Sequence, residues 1–237
     1  MRDIDWYLRI YDGYLTKEQC DAYIDMYEDV TQNQSQRVRD LSVCYNKAGQ
    51  NLCGDCSCLR INPMEFDCFQ ELNNIFTSQL HDVLEKYYDD CQLHKVQWPE
   101  EFGFEELRIK RFKVDPEGQE SNGYHGLGNH VDVYSHAHAK RFLGMICYLN
   151  DDFEGGETHF NLLNQSVQPK AGRIFLFPPD WTLSHRGIPP RPPSNRMAKY
   201  FLMTYVNYID LTKVNDGIDF THREIAQPDF GWTPHHG

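Results

Sequence analysis

Between Leu107 and Tyr208 the chain contains five short strand-forming runs and no helical period long enough to separate them. They are Leu107–Phe112, Arg141–Leu149, Thr158–Leu162, Arg173–Phe177 and Lys199–Tyr208. Parallel strands need a crossover of a dozen or more residues, usually helical, whereas antiparallel strands join through tight turns. The connections here carry turn residues: Gly155-Gly156, Gly172, and the stiff Gly187-Ile188-Pro189-Pro190-Arg191-Pro192-Pro193 segment, which cannot be a central strand. The expected architecture is therefore an antiparallel barrel or jelly roll. Val114 to Asn129, rich in Gly, Asp and Asn, reads as a loop ending at the histidine that follows it.

The first hundred residues read differently. Residues 4–14 suggest a short strand and turn. Thr16 and Gln19 then form a capping box, and Cys20, Tyr23, Ile24, Tyr27 and Val30 recur at helical spacing. A second helix is expected from about Pro63, with Phe69, Leu72, Phe76, Leu80, Val83, Leu84 and Tyr87 on one stripe. Such helices have one apolar face and must lay it against something, here the back of the sheet. Residues 31–62 are polar and read as loop with short strands; Arg37 and Arg39 there can border an entrance or simply be solvated.

Chemistry enters at His130-Val131-Asp132. In a strand, residues i and i+2 point to one face, so this pair can grip a single ion, and His185, from a distant strand, would complete a three-ligand set. Two imidazoles and one carboxylate with the remaining positions open is the donor set of a non-haem Fe(II) centre. A bare H-x-D is common by chance, so its context decides. That context is LRIKRF, HVDVYSHAHAKRFLGMICYLNDDFEGGETHF, QPKAGRIFLFPPDWTLSHRG and KYFLMTYVNY.

Together these segments resemble the core of the 2-oxoglutarate and Fe(II)-dependent oxygenases, in the prolyl-4-hydroxylase-like branch that includes small phage and viral members. The resemblance implies a mainly β fold with flanking helices, a double-stranded β-helix (jelly-roll) core with N-terminal bracing helices. It implies one domain over 1–237: a helical support region to 105, a catalytic core over 106–210 and a tail over 211–237. It implies Fe(II) at His130, Asp132 and His185, with 2-oxoglutarate and O2 as co-substrates and ascorbate as a further reductant. The activity implied is hydroxylation of a C–H bond in a protein or peptide, foremost a prolyl residue, with release of succinate and CO2. Alternatives are the same chemistry on a free amino acid or other small molecule, and a non-catalytic jelly-roll binding module.

The far carboxylate of 2-oxoglutarate needs a buried cation. Family spacing from the distal histidine favours Arg196, whereas the strand signature KYFLMTYVNY favours Lys199, and in an extended strand only one of the two faces the pocket. By the same resemblance Tyr148 reaches that carboxylate through its hydroxyl. The family often has tyrosine where this chain has Phe112; Tyr124 in the rim loop is a candidate substitute. Arg141 also recurs in the family, facing either pocket or surface. His125, His136 and His138 read as exposed loop histidines.

Composition limits the partners. The 237 residues hold 23 Lys+Arg against 35 Asp+Glu, a net charge of −12, which argues against a phosphate-tracking nucleic-acid binder but permits a local basic groove. No apolar run follows the N-terminus and no stretch has the length of a membrane span, so a cytoplasmic protein, phage- or virus-encoded by the resemblance, is expected. Of eight cysteines, Cys44, Cys53, Cys56 and Cys58 cluster. They read either as a small zinc site or as reduced, partly buried thiols.

Overall fold

The computed structural model describes residues 4–33, 56–60, 67–114 and 128–209. After a 3-10 turn at Ile4–Tyr7 comes strand β1 (Arg9–Tyr11), then helix α1 (Lys17–Asn33). Its start is the expected capping box: Gln19 N–H donates to Thr16 Oγ1 at 3.3 Å, and Thr16 N–H donates to Gln19 Oε1 at 2.8 Å. Strand β2 spans Cys56–Arg60, and α2 (Gln70–Asp90) begins after a 3-10 turn at Asp67–Phe69. The apolar stripe foreseen for it is buried from Phe69 to Tyr87. The expected start at Pro63 lies outside the described residues, as do Arg37, Arg39, Cys44, Cys53, Tyr124, His125 and the tail.

Strands β3 (Phe102–Phe104), β4 (Arg108–Lys113), β5 (Arg141–Tyr148), β6 (Glu154–Gly155), β7 (Thr158–Phe160), β8 (Gln165–Val167), β9 (Ile174–Phe177), β10 (His185–Gly187), β11 (Pro190–Arg191) and β12 (Ala198–Tyr208) follow. The large sheet runs β1-β9-β5-β12-β4-β2, with β3 also paired to β12, and every pair is antiparallel. A smaller sheet, β10-β7-β8, and the short β11-β6 pair complete the jelly roll. Beyond Gly187, which ends β10, the proline-rich turn forms just a two-residue edge strand, since proline offers no ladder donor.

Side-chain alternation divides the large sheet into two faces. On β12, Ala198, Tyr200, Leu202 and Val206 join the core formed with α1 and α2. Phe201, Met203 and Tyr205 face the other way, into a core shared with Phe160 and Val167 of the small sheet. Strands β5 and β9 repeat the pattern: Cys147, Ile174 and Leu176 face the helices, while Ile146, Tyr148, Phe175 and Phe177 face the small sheet. Buried on both sides, β12 reads in sequence as one continuous apolar run. The inner layer is aromatic: Phe160 meets Phe177 edge-on at 5.2 Å and Phe175 at 6.3 Å. Each such ring contributes about 1.5–3 kcal/mol by burial.

The N-terminal segment crosses the turn between β8 and β9 at Gly172. This residue has φ +74°, and a Cβ there would come within 2.0 Å of the Leu15 carbonyl oxygen. Its carbonyl accepts from Tyr14 N–H at 2.8 Å. Gly172→Ala is expected to lower stability by about 2 kcal/mol or more, a fall in Tm of roughly 4–8 °C, measured by thermal unfolding.

Candidate active site

His130 and His185 form an isolated antiparallel bridge, exchanging both backbone hydrogen bonds at 2.9 Å. That bridge extends the small sheet by one residue. Pro179 holds the next turn, accepting from Asp132 N–H at 3.0 Å and from Val133 N–H at 3.1 Å. The three side chains converge: His130, Asp132 and His185 each offer a donor atom within 4.8 Å of the others.

The details suit an ion. His130 Nδ1 lies 2.7 Å from the Gly128 carbonyl, and His185 Nδ1 lies 3.1 Å from the Leu183 carbonyl. A ring that donates from Nδ1 to a carbonyl presents a bare Nε2, the tautomer a metal requires. His130 Nε2 stands 3.6 Å from Asp132 Oδ1, and His185 Nε2 stands 3.7 Å from Asp132 Oδ2. These gaps are too wide for good hydrogen bonds but fit donors sharing an ion at about 2.0–2.2 Å. Asp132 Oδ2 is buried and has no hydrogen-bond partner, a costly state for a carboxylate oxygen unless a cation occupies the centre. Burial pushes the Asp132 pKa up, but the His130 contact and the charges of His185, His130 and Lys110 outweigh it and hold the carboxyl at about 2. Burial also lowers the His185 pKa, against the raising effect of Asp132. The donors fit a divalent metal.

Beneath Asp132 lies a charged buttress. Arg141 Nη1 donates to the Asp132 backbone carbonyl at 3.1 Å, while its other nitrogens bind Glu105 at 2.5 and 2.8 Å. Arg108 binds the same carboxylate at 2.6 Å, and the Arg141 guanidinium lies 3.9 Å from the Tyr205 ring centroid. Arg141 therefore faces neither cavity nor open surface; it ties the β5 strand to the Asp132 turn. Burial works to raise the Glu105 pKa, but the two arginines more than offset it and the carboxyl stays below its ordinary range.

A small cavity opens beside the triad, lined by His130 and His185, by Lys110, Phe112 and Lys199, and by apolar groups including Ile146, Phe201 and Met203. Lys199 is 4% exposed. Its ammonium donates to the Gly156 carbonyl at 2.5 Å and sits 4.9 Å from the Phe201 ring and 5.0 Å from that of Tyr148. Gly156 has φ +73°, and a Cβ there would strike the Phe153 ring at 2.4 Å, so the Gly155-Gly156 turn is shaped to present that carbonyl. Arg196 is elsewhere. It binds Asp25 at 2.7 Å and Asp21 at 3.1 Å on α1, outside the cavity lining.

Tyr148 is fully buried, and its hydroxyl is engaged by Thr158 Oγ1 at 2.8 Å, Thr158 N–H at 3.1 Å and the Val167 carbonyl at 3.1 Å. The cavity wall at this point is Thr158 itself. Phe112 stacks on Phe201 at 5.7 Å and forms an apolar wall. Sequence reasoning gave no role to Asn150, which clamps the backbone on both sides of Lys199. Its Nδ2 donates to the Ala198 carbonyl and its Oδ1 accepts from Tyr200 N–H, both at 2.8 Å. Its place in the Tyr148-Leu149-Asn150 motif was the available signal. Lys110 and Thr158 were missed as well.

Other candidates stay apart from this site. His136 is exposed, and His138 is half-buried with Nδ1 2.9 Å from Ser135 Oγ. His81, Asp82 and Glu85 form a solvent-facing cluster along α2. The side chains of Cys56 and Cys58, like Cys44 and Cys53, lie outside the described residues; the described cysteines Cys20, Cys68, Cys91 and Cys147 are free thiols. Among the described residues no helix is long and apolar enough to cross a membrane.

Glu105→Ala would leave two guanidiniums without their carboxylate in a largely desolvated setting. It is expected to lower the unfolding free energy by about 3–5 kcal/mol, measured by denaturant titration.

Known proteins share both the core segment and the fold. Residues 119–207 match the family model described as "2OG-Fe(II) oxygenase superfamily". No curated protein sequence matches the chain significantly. Among solved structures, a viral collagen prolyl hydroxylase from Paramecium Bursaria Chlorella virus-1, as its 2OG complex, is 17% identical over 86% of this chain and 97% of its own, with a TM-score of 0.56. A Trichoplax adhaerens prolyl hydroxylase, in complex with a hypoxia inducible factor peptide fragment, is 15% identical over 90% of this chain and 87% of its own, with a TM-score of 0.61. Residues 119–207 are thus similar to the 2OG-Fe(II) oxygenase superfamily, and the chain shares its jelly-roll fold with these two solved structures.

Proposed function

We propose that this chain hydroxylates a C–H bond of a prolyl residue in a protein or peptide, consuming 2-oxoglutarate and O2 and releasing succinate and CO2, with ascorbate as an auxiliary reductant. The observation that carries the reading is the meeting, beside one cavity, of a three-donor centre with an orphaned carboxylate oxygen and a buried lysine. His130, Asp132 and His185 would hold Fe(II), which with its co-substrates supplies oxidative decarboxylation coupled to C–H hydroxylation.

The chain's own residues do the rest. The Gly128 and Leu183 carbonyls orient the two imidazoles, and the Arg141 contact holds the turn that carries Asp132. Lys199 offers its ammonium to the far carboxylate of 2-oxoglutarate, with Asn150 fixing its strand. Thr158, hydrogen-bonded to Tyr148, stands beside that subsite. Phe112, Ile146, Phe201 and Met203 exclude water from the space between.

A peptide substrate is supported by the exposed rim. Trp181 is 81% exposed and Tyr134 65%, on the two loops that the Pro179 carbonyl ties together next to the triad. Aromatic rims suit an extended, proline-containing chain, which arrives with little conformational entropy left to lose. The Trichoplax structure of the same fold holds a peptide fragment, which agrees with this reading.

Full-length protein supplied with Fe(II) and 2-oxoglutarate is expected to form succinate, faster with proline-containing peptides, whose mass rises by one oxygen. Asp132→Ala is expected to abolish turnover while the fold persists. Modification of free L-proline with no peptide product would move the assignment to a small-molecule hydroxylase. Absence of succinate altogether would favour a non-catalytic module.

Removing the buried cation should weaken 2-oxoglutarate binding by roughly two to three and a half orders of magnitude in Lys199→Met, since such a loss costs about 3–5 kcal/mol. Arg196→Ala should leave the affinity close to wild type. Titration of both variants checks this, and the reverse ranking would assign the role to Arg196.

A further inference from the structure

The cavity contains a second lysine. Lys110 lies on β4 directly opposite Phe201 of β12, and two residues along Phe112 lies opposite Lys199. Opposed residues of an antiparallel pair share one face, and so do residues i and i+2. The four side chains therefore form a square on the inner face of the sheet, with lysines on one diagonal and phenylalanines on the other. All four line the cavity.

The Phe112 and Phe201 rings stack at 13° between planes, giving a flat apolar strip between the two cations. The Lys110 and Lys199 ammonium nitrogens lie 6.0 and 4.9 Å from the centroid of the same Phe201 ring. They are consequently separated by no more than about 11 Å, a span that a five-carbon diacid can bridge with a charge-assisted contact of about 2.8 Å at each end. The two ends are not equivalent. Lys199 is buried against the Gly156 turn, whereas Lys110 is half-buried and lines the cavity together with His130 and His185. Among the described residues no carboxylate pairs with Lys110, although neighbouring basic residues on its strand are paired, Arg108 with Glu105 and Arg111 with Glu28.

We infer that Lys110 is a second anchor for the co-substrate, pairing with the carboxylate of 2-oxoglutarate at the metal-side end while Lys199 takes the far one. This rests on the reading of the cavity as a 2-oxoglutarate site. Recognition at both ends would select a diacid of fixed length over shorter or singly charged oxo acids, and the phenylalanine strip would hold its methylene chain.

The test is binding rather than turnover. Full-length protein loaded with Mn(II) under anaerobic conditions is titrated with 2-oxoglutarate and with 2-oxobutanoate, which lacks the far carboxylate. Lys110→Met is expected to weaken both ligands by about tenfold or more, as loss of one charge-assisted hydrogen bond does. Lys110→Arg should recover most of that loss. Lys199→Met should weaken 2-oxoglutarate far more than 2-oxobutanoate. Thermal unfolding of Lys110→Met should match wild type, since the side chain is half-exposed and makes no ion pair among the described residues.

If wild type binds 2-oxoglutarate and Lys110→Met binds both ligands equally well, the anchor role is overturned while the site assignment stands. A Lys110→Met variant altered only in the KM for peptide would place the ammonium on the substrate and likewise overturn the inference. Failure of Mn(II)-loaded wild type to bind 2-oxoglutarate would overturn the site assignment and the anchor with it.

Discussion

The register of β12 between β4 and β5 is the constraint on which the remaining structure depends. This strand is buried on both faces, so a slip of one residue would exchange its two sets of side chains. Lys199 would then be driven into the helix-facing core, and Tyr200 would lose Glu28 and Arg111, with which its hydroxyl is engaged. The chain pins the register just where it matters. Asn150 grips the backbone on either side of Lys199, and Asp152 accepts from Asn195 and Arg196 N–H where the strand begins. A buried ammonium is tolerated there because a carbonyl and three aromatic faces surround it.

The triad has a different kind of support. Two of its members sit opposite one another on a single β-bridge, and the third is held two residues away by the Pro179 carbonyl. Short backbone hydrogen bonds fix the positions, while carbonyls at Gly128 and Leu183 fix the ring orientations. The Glu105–Arg141–Arg108 cluster sits behind, linking Asp132 to β4 and β5. The donor set is thus preorganised by the scaffold, and the unpartnered Asp132 oxygen is the electrostatic cost of keeping it so.

An acidic chain with a basic cavity is no contradiction. The net charge of −12 belongs to the whole chain, whereas Lys110 and Lys199 line one cavity among phenylalanine and methionine side chains, where charges act locally. Long-range repulsion of a dianion is screened within about a Debye length, and the local field at the cavity governs binding.

Much of this was legible in one dimension. The two-residue period and the turn residues foretold an antiparallel barrel or jelly roll, because a side chain's face in a strand depends on position alone, and the resemblance narrowed it to the jelly roll. The capping box and the stripe on α2 announced the helices for the same local reason. His130 and Asp132 could be paired from their spacing, and His185 joined them only through the resemblance of the surrounding segments. What the order of residues left open was every relation across strands. The strand signature favoured Lys199 over Arg196, but only the fold gave Asp21 and Asp25 of α1 to Arg196 and enclosed Lys199 in the Gly156 turn. The Tyr148 hydroxyl, expected at the far carboxylate, meets Thr158 and Val167. The Lys110–Phe201 and Phe112–Lys199 square exists only because β4 and β12, nearly ninety residues apart, meet in that register. Sequence determines which face a residue shares with its near neighbours; the pairing of distant strands, set by the fit of two cores on either side of one sheet, decides which charges meet.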